Sequence, residues 1–158
     1  MFNKICDMKT TKSLMTFLLA GIFAISLNSC TKFEAGGLIS ATDKNLQKGW
    51  TLSKYLRNGT DETSLLLIKN YQETYADNGS YSRSYVDKKG ESKSEKGTWK
   101  FDKGLKKLNI SGVASMEISV KAGTVSSSYY NIVKLENAEF WYYFTNGADK
   151  HEFHLIKK

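Results

Sequence analysis

Hydrophobic and polar residues alternate along most of the chain after Gly49, which is typical of half-buried β-strands. The alternation is clearest in residues 114–121, where four apolar residues interleave with Ser, Glu, Ser and Lys. Turn sequences such as Asp77-Asn78-Gly79 interrupt it at short intervals. Nothing after Gly49 has the period of an amphipathic helix. The segments predicted as strands are 50–52, 65–75, 80–86, a stretch ending at 97–101, 108–110, 114–121, 129–135, 138–145 and 151–157.

Eight or nine sequential strands with short links predict an antiparallel meander. A meander of this size avoids exposed strand edges most simply by closing into an up-and-down barrel, and a two-sheet sandwich is the alternative. The interior of an eight-stranded barrel is either nearly filled by side chains or holds one small ligand. The predicted fold class is therefore all-β, with a barrel domain over residues 49–158.

An apolar run of about 14 residues, 14–27, follows Lys9 and Lys12 near the start of the chain. A signal peptide has an apolar region of this length, whereas a membrane-spanning helix needs about 20 residues. The run ends in Leu27-Asn28-Ser29-Cys30, which resembles the lipobox of bacterial lipoproteins. This resemblance implies that residues 1–29 are a signal peptide and that Cys30 becomes the lipidated first residue. An ordinary cleaved signal or an uncleaved anchor helix is the alternative, and Met8 is a more natural start than Met1.

Residues 30–48 are mostly polar and show no sustained period. They predict a flexible tether between the membrane and the barrel, with room for a short helical turn at 43–47. Cys6 lies in the removed segment, so one mature chain cannot form an internal disulfide. The chain has no proline, and its turns must therefore be made by Gly, Asn and Asp.

The formal net charge is +7, of which about +5 remains after residues 1–29 are removed. Surplus lysine suits either plain solubility or proximity to an anionic lipid surface. Export removes the usual nucleic acid partners of a basic protein, so we expect no nucleic acid binding.

The turn Asp77-Asn78-Gly79 allows two pairings of the strands on either side. A two-residue Asn-Gly loop sets Asp77 opposite Ser80, whereas a three-residue loop with Gly79 in the left-handed conformation sets Ala76 opposite Ser80. The second pairing places Tyr75 opposite Tyr81, Glu73 opposite Arg83 and Tyr71 opposite Tyr85. Such aromatic and opposite-charge pairs contribute about 0.2–1 kcal/mol each, so the second pairing is predicted.

One face of this hairpin then carries four tyrosines around a Glu/Arg pair. If that face lines the barrel, Arg83 is the candidate group for binding the carboxylate or phosphate head of a ligand. The other interpretation is a packed tyrosine core with the ion pair at the barrel rim. The candidate pocket residues are Tyr71, Glu73, Tyr75, Tyr81, Arg83, Tyr85 and Trp99.

A second hairpin is predicted to turn through Glu136-Asn137, with Leu135 opposite Ala138 and Val133 opposite Phe140. Both of its faces are apolar near the middle. One face is therefore expected in the core, and the other is covered by the tether, by a partner or by membrane.

Four short segments resemble the bacterial lipocalin-like domain family, whose members are small lipoproteins or secreted proteins with a calycin-type barrel. The segments are Gly49-Trp50-Thr51-Leu52, Tyr75-Ala76-Asp77-Asn78-Gly79-Ser80-Tyr81, Gly97-Thr98-Trp99 and Tyr130-Asn131-Ile132-Val133-Lys134-Leu135. The resemblance covers nearly all of residues 46–158. It implies an up-and-down barrel able to take a lipophilic ligand, and it implies no catalytic residues.

The residues themselves also argue against an enzyme. His151 and His154 are the only histidines, and on one strand they point to opposite faces, so they cannot share a metal there. No glycine-rich phosphate loop opens a helix, and no pair of carboxylates is placed for acid/base chemistry. We expect no enzyme activity, no metal site and no cofactor.

The sequence therefore predicts a non-catalytic, lipid-anchored envelope protein whose barrel binds a small apolar or amphipathic ligand. The alternative is a fully packed barrel that docks another envelope protein or a glycan. An interior void of roughly a few hundred cubic ångströms would indicate ligand binding, whereas a filled interior would favour docking. No aspartate follows Cys30 as an inner-membrane retention cue, so the outer membrane is the expected location.

Overall fold

The computed structural model describes the backbone of residues 39–158 and the side chains from residue 43. The predicted signal peptide, Cys30 and the first part of the tether lie outside the described residues. Within the described part, no helix is both long enough and apolar enough to cross a membrane.

The described residues form one short helix and eleven strands. In chain order they are α1 (Ile39–Leu46), β1 (Gly49–Arg57), β2 (Thr60–Asp61), a 3₁₀ turn (Thr63–Leu65), β3 (Lys69–Tyr75), β4 (Ser80–Val86), β5 (Ser92–Phe101), β6 (Lys107–Ser111), β7 (Met116–Ser119), β8 (Gly123–Val125), β9 (Tyr129–Leu135), β10 (Glu139–Asn146) and β11 (Asp149–Lys157).

Eight of these strands form a closed antiparallel barrel in the order β1-β3-β4-β5-β6-β9-β10-β11. The ring closes because β11 pairs with β1, with Lys157 opposite Trp50 and His151 opposite Arg57. Every barrel strand lies next to its neighbour in the chain, so the connectivity is up-and-down. This confirms the predicted up-and-down barrel and excludes the sandwich. The barrel has its own hydrophobic core, which includes Trp50, Tyr55, Phe140, Phe153 and Leu155.

Antiparallel strands that run up and down place the connections at two ends. One end, here called the helix end, holds α1 and the turns at 76–79, 102–106 and 136–138. The other, here called the flap end, holds the connections 58–68, 87–91, 112–128 and 147–148. Residues 112–128 are the longest of these connections, and we call them the flap.

The flap corrects the predicted strand 114–121, which does not belong to the barrel. β7 and β8 form a separate two-stranded sheet, which buries Met116 and Ile118. It is joined to the connection 58–68 by a hydrogen bond from the Leu67 N–H to the Ile118 carbonyl. The alternation also fails at its end, because an irregularity between Glu117 and Ser119 leaves Val120 80% exposed.

Helix α1 shortens the predicted tether, which does not extend over residues 39–48. Leu46 is fully buried in the core, and the Trp50 indole N–H donates a 3.0 Å hydrogen bond to the Leu46 carbonyl. The helical turn allowed for at 43–47 is thus the end of a longer helix, which tertiary packing at the barrel end stabilises.

The first hairpin confirms the predicted pairing of Tyr75 with Tyr81 and of Glu73 with Arg83. The end of the hairpin away from the turn differs from the prediction. The pairing is irregular between Lys69 and Gln72, and β3 begins at Lys69 rather than at residue 65. Asn70 has a positive φ of 53° within this irregularity. Tyr71 nonetheless stacks on Tyr85 as expected, with ring centroids 6.4 Å apart.

The second hairpin contradicts its predicted pairing. Leu135 lies opposite Phe140 rather than Ala138, and the Glu136 N–H donates to the Glu139 carbonyl across a turn one residue later than predicted. A second irregularity then leaves Val133 without a partner and exposed. The turn lacks a glycine to fix its position, so burial of alternate β10 residues in the core decides the register.

Candidate functional site

The predicted tyrosine face lies inside the barrel. Tyr71, Glu73 and Tyr75 on β3 are buried, as are Tyr81 and Arg83 on β4. Alternate residues of adjacent strands share one face, so the confirmed hairpin pairing brings these side chains together.

The Glu73 carboxylate lies at the centre of this cluster and is fully buried. One oxygen, Oε1, accepts hydrogen bonds from the hydroxyls of Tyr71 at 2.5 Å, Tyr142 at 2.7 Å and Tyr81 at 3.1 Å. The other, Oε2, accepts one from Tyr75 at 2.5 Å. We call this arrangement the tyrosine cage. Four hydroxyl donors satisfy a buried carboxylate that has no Lys or Arg partner within the described residues.

The cage also keeps its tyrosines protonated. Burial raises the pKa of Tyr71, Tyr75, Tyr81 and Tyr142 well above the usual value, and the negative charge of Glu73 raises it further. Each hydroxyl therefore remains a hydrogen-bond donor throughout the pH range in which proteins are stable.

The predicted ion pair between Glu73 and Arg83 does not form. Arg83 instead pairs with Glu95, which lies opposite it on β5, and the Arg83 Nη2 to Glu95 Oε2 distance is 2.6 Å. Arg83 has a carboxylate on each neighbouring strand. The Glu73 carboxylate already accepts four hydrogen bonds from tyrosines, so Arg83 pairs with Glu95. The pairing of β4 with β5 was the signal that sequence reasoning missed.

Arg83 and Glu95 together hold the base of the flap. Arg83 Nη2 donates to the Ala114 carbonyl at 2.7 Å, and the Ala114 N–H donates to Glu95 Oε2 at 3.0 Å. Both backbone groups of one flap residue are thus bound by one ion pair. We call this arrangement the Ala114 clamp.

A small void lies beneath the flap. Its volume is about 10 Å³, and its lining includes Tyr71, Arg83, Met116, Val125 and Tyr130. The Arg83 Nε is buried and has no hydrogen-bond partner among the described residues. A void of this size holds one water molecule at most.

The structure separates the seven predicted pocket residues into three places. Tyr71, Glu73, Tyr75 and Tyr81 belong to the tyrosine cage. Arg83 and the half-buried Tyr85 lie toward the flap end, where the Tyr85 hydroxyl is 3.4 Å from Glu95. Trp99 lies at the helix end, where its indole N–H donates to the Ala76 carbonyl at 2.9 Å. Trp99 is therefore not brought together with Arg83.

Two further tyrosines of the interior were missed because they come from distant strands. Tyr142 on β10 completes the cage, and Tyr130 on β9 stacks on it with centroids 4.1 Å apart and planes 7° apart. The alternation of Phe140, Tyr142 and Phe144 marked this face of β10 as apolar. The cross-barrel contact itself left no local signal.

The two histidines occupy different environments. His151 is fully buried, and its Nδ1 lies 2.7 Å from the Tyr55 hydroxyl. Burial lowers the pKa of His151, and nearby Asp149 partly opposes that effect. His154 stacks on Trp141 on the outer surface at 4.0 Å. Among the described residues, no three His, Cys, Asp or Glu side chains are grouped to hold a metal.

Two aromatic rings on the outer face of the second hairpin, those of Trp141 and Tyr143, lie beneath the chain's own lysine side chains, whereas Val133 is exposed. The Lys134 ammonium lies 4.7 Å from the Trp141 ring centroid, and the Lys150 ammonium lies 4.3 Å from that of Tyr143. Lysine stems shield aromatic rings from water in this way while the charges stay hydrated.

No protein-family model matches the chain, and no curated protein matches it. The chain is similar in fold to a lipocalin-like protein from Bacteroides uniformis, with a TM-score of 0.49, 13% identity, and coverage of 72% of this chain and 99% of that one. A protein from Bacteroides eggerthii gives a TM-score of 0.48 and 11% identity, with the same coverage. Japanin from Rhipicephalus appendiculatus, solved bound to cholesterol, gives 0.48 and 9%, covering 70% of this chain and 74% of japanin.

Proposed function

We propose that this chain is a non-catalytic, lipid-anchored envelope protein whose barrel binds a small amphipathic ligand beneath the flap. One observation carries the ligand site. Arg83 is buried, lines the void under the flap, and has an Nε–H without an acceptor among the described residues. A buried donor without an acceptor costs about 1–3 kcal/mol, so a ligand oxygen placed there would be favoured.

Binding requires the flap to move. The void of about 10 Å³ is far smaller than the roughly 300–1,000 Å³ of a small-molecule pocket. The flap forms its own two-stranded sheet, so it can lift without unpairing any barrel strand. The apolar part of the ligand then takes the space vacated by Met116 and Val125, which line the void from the flap.

The filled interior favours a second candidate function, a packed barrel that docks an envelope protein or a glycan. Its contact surface would be the outer aromatic pair Trp141 and His154, whose rings lie parallel at 4.0 Å, and a partner would displace the Lys134 ammonium that shields the Trp141 ring. Parallel aromatic faces beside a lysine suit either a sugar ring or a protein side chain.

Native mass spectrometry of protein purified from its own host separates the two candidates. A retained small molecule supports the ligand site, whereas a retained protein partner on an empty barrel supports docking. For a lipid that binds on an array, the Arg83→Ala and Tyr85→Ala variants should lose binding and stay folded. Arg57→Ala is the matched control, because Arg57 is the other arginine at the flap end and pairs with Glu62 and Asp149. Undiminished binding by Arg83→Ala would exclude the site.

The lipid anchor is supported by the lipobox-like residues Leu27-Asn28-Ser29-Cys30. Acyl chains on Cys30 would hold the barrel on the outer membrane, since each buried methylene contributes about 0.8 kcal/mol. Labelled palmitate should enter the protein, and Cys30→Ser should remain unprocessed and unlabelled. Membrane fractions separated by density test the choice of membrane, and a label confined to the inner membrane would contradict it.

A further inference from the structure

The two ends of the barrel differ in charge. Residues 43–48, 76–80, 100–107, 134–139 and 156–158, which surround the helix end, contain nine lysines and five acidic side chains. Residues 54–69, 85–95, 112–128 and 146–152, which surround the flap end, contain eight basic and eight acidic side chains. The net positive charge at the ends of the described barrel is therefore confined to the helix end.

Most lysines of the helix end also lack a carboxylate partner, so they are available to an outside anion. Seven of the nine are exposed and make no salt bridge within residues 43–158. These seven are Lys44, Lys100, Lys103, Lys106, Lys107, Lys157 and Lys158. At the flap end, by contrast, most basic side chains pair with a carboxylate. The paired lysines there are Lys54, Lys88, Lys93, Lys121 and Lys150.

The chain also enters the barrel at the helix end. Helix α1 begins at Ile39, nine residues after Cys30. Nine residues span at most about 30 Å when fully extended. Acyl chains on Cys30 would therefore keep the lysine-rich end, rather than the flap end, close to the bilayer.

We propose that the helix end is a docking surface for anionic lipid headgroups, and that it turns the flap end away from the membrane that holds the anchor. The orientation of the barrel relative to the membrane rests on the proposed lipid anchor. The lysine surface itself does not depend on that anchor. Attraction of lysines to anionic headgroups acts within about one Debye length, roughly 8–10 Å at physiological salt. Because the seven lysines are exposed, a bilayer that touches the helix end could approach their ammonium groups to within this distance.

Vesicle sedimentation tests the surface without the anchor. The protein used is residues 39–158, which contain α1, the whole barrel and its core, and carry no acyl chain. It should bind vesicles of phosphatidylcholine with phosphatidylglycerol, bind phosphatidylcholine alone weakly, and be released by high salt. A Lys103→Glu, Lys106→Glu, Lys107→Glu triple variant should bind at least about tenfold more weakly.

The matched control is the Lys69→Glu, Lys88→Glu, Lys89→Glu triple variant, which makes the same change in net charge at exposed flap-end lysines. It should keep most of the binding, and thermal melts check that both variants fold. Equal losses in the two variants, or equal binding to both kinds of vesicle, would overturn the proposal. Failure of palmitate labelling with vesicle binding intact would reject the anchor alone, so the two proposals fail separately.

Discussion

The Tyr142 hydroxyl on β10 donates a 2.7 Å hydrogen bond to the Glu73 carboxylate on β3, across the inside of the barrel. This contact joins strands that are not neighbours in the ring. It links two separate parts of the barrel wall through a buried charge, so loss of either partner should lower the stability of the whole barrel.

Tyr142→Phe should lower the free energy of unfolding by about 1.5–3 kcal/mol, because it removes one hydrogen bond to a charged, buried group. Urea unfolding measures the change. Tyr143→Phe is the control, since Tyr143 is the next residue of the same strand but lies on the outer face. If both variants unfold at the same urea concentration, the hydrogen bond from Tyr142 to Glu73 contributes no net stability.

Glu95→Gln should loosen the flap and leave the barrel intact. It weakens the Ala114 clamp because a neutral amide replaces the carboxylate that accepts hydrogen bonds from Arg83 and from the Ala114 N–H. Losing about 1.5 kcal/mol or more raises the population of the open flap by about tenfold. Hydrogen exchange should accelerate in residues 112–128 and remain slow in β10 and β11. Glu91→Gln, a nearby exposed change, should alter neither region, and a flap unaffected by Glu95→Gln would argue against the clamp.

Gly97→Ala should destabilise the barrel strongly, by about 3 kcal/mol, because there is no room for a side chain. A Cβ at residue 97 would lie 1.9 Å from the Ser111 carbonyl oxygen on the paired strand β6. Gly104→Ala is the comparison, since its Cβ would approach only the Asp102 side chain at 3.7 Å. Thermal melting distinguishes the two variants. Equal melting temperatures would show that β5 and β6 can move apart to admit the methyl group with little loss of stability.

His151 should make the protein sensitive to mild acid. Burial lowers the pKa of His151 in the folded state below its unfolded value of about 6.5. The unfolded chain then binds the proton more readily, so stability is complete above about pH 6.5 and falls as the pH drops below it. Unfolding measured at pH 7.5 and pH 5 should show this loss. His151→Phe should reduce it, whereas His154→Phe should not, and an equal loss in all three proteins would assign it to other groups.

Most barrel strands and the tyrosine face could be predicted because both depend on local signals, and closure of the barrel followed from the need to avoid exposed strand edges. Alternation along β3 and β4, with a strong turn at Asp77-Asn78-Gly79, fixed which side chains share a face. The turn at 136–138 lacked such a signal, and there the predicted register was wrong.

The partners of the charged groups could not be predicted from the chain alone. Glu73 and Tyr142 are 69 positions apart, and Arg83 had two carboxylates within reach on its neighbouring strands. The flap followed the same period as a barrel strand, so only its packing over the barrel end distinguished it. Whether the interior residues bind a ligand stays a prediction.

The pairing of β1 with β11 brings together residues such as Trp50 and Lys157 that are over a hundred positions apart. Contacts this distant in sequence form slowly, because a long loop must close before they give any stability. Until β11 has been made, both β1 and β10 present unpaired edges that favour association with other chains. Newly made chains would therefore need rapid synthesis of β11, or a chaperone that covers these edges, to reach the closed state without aggregating.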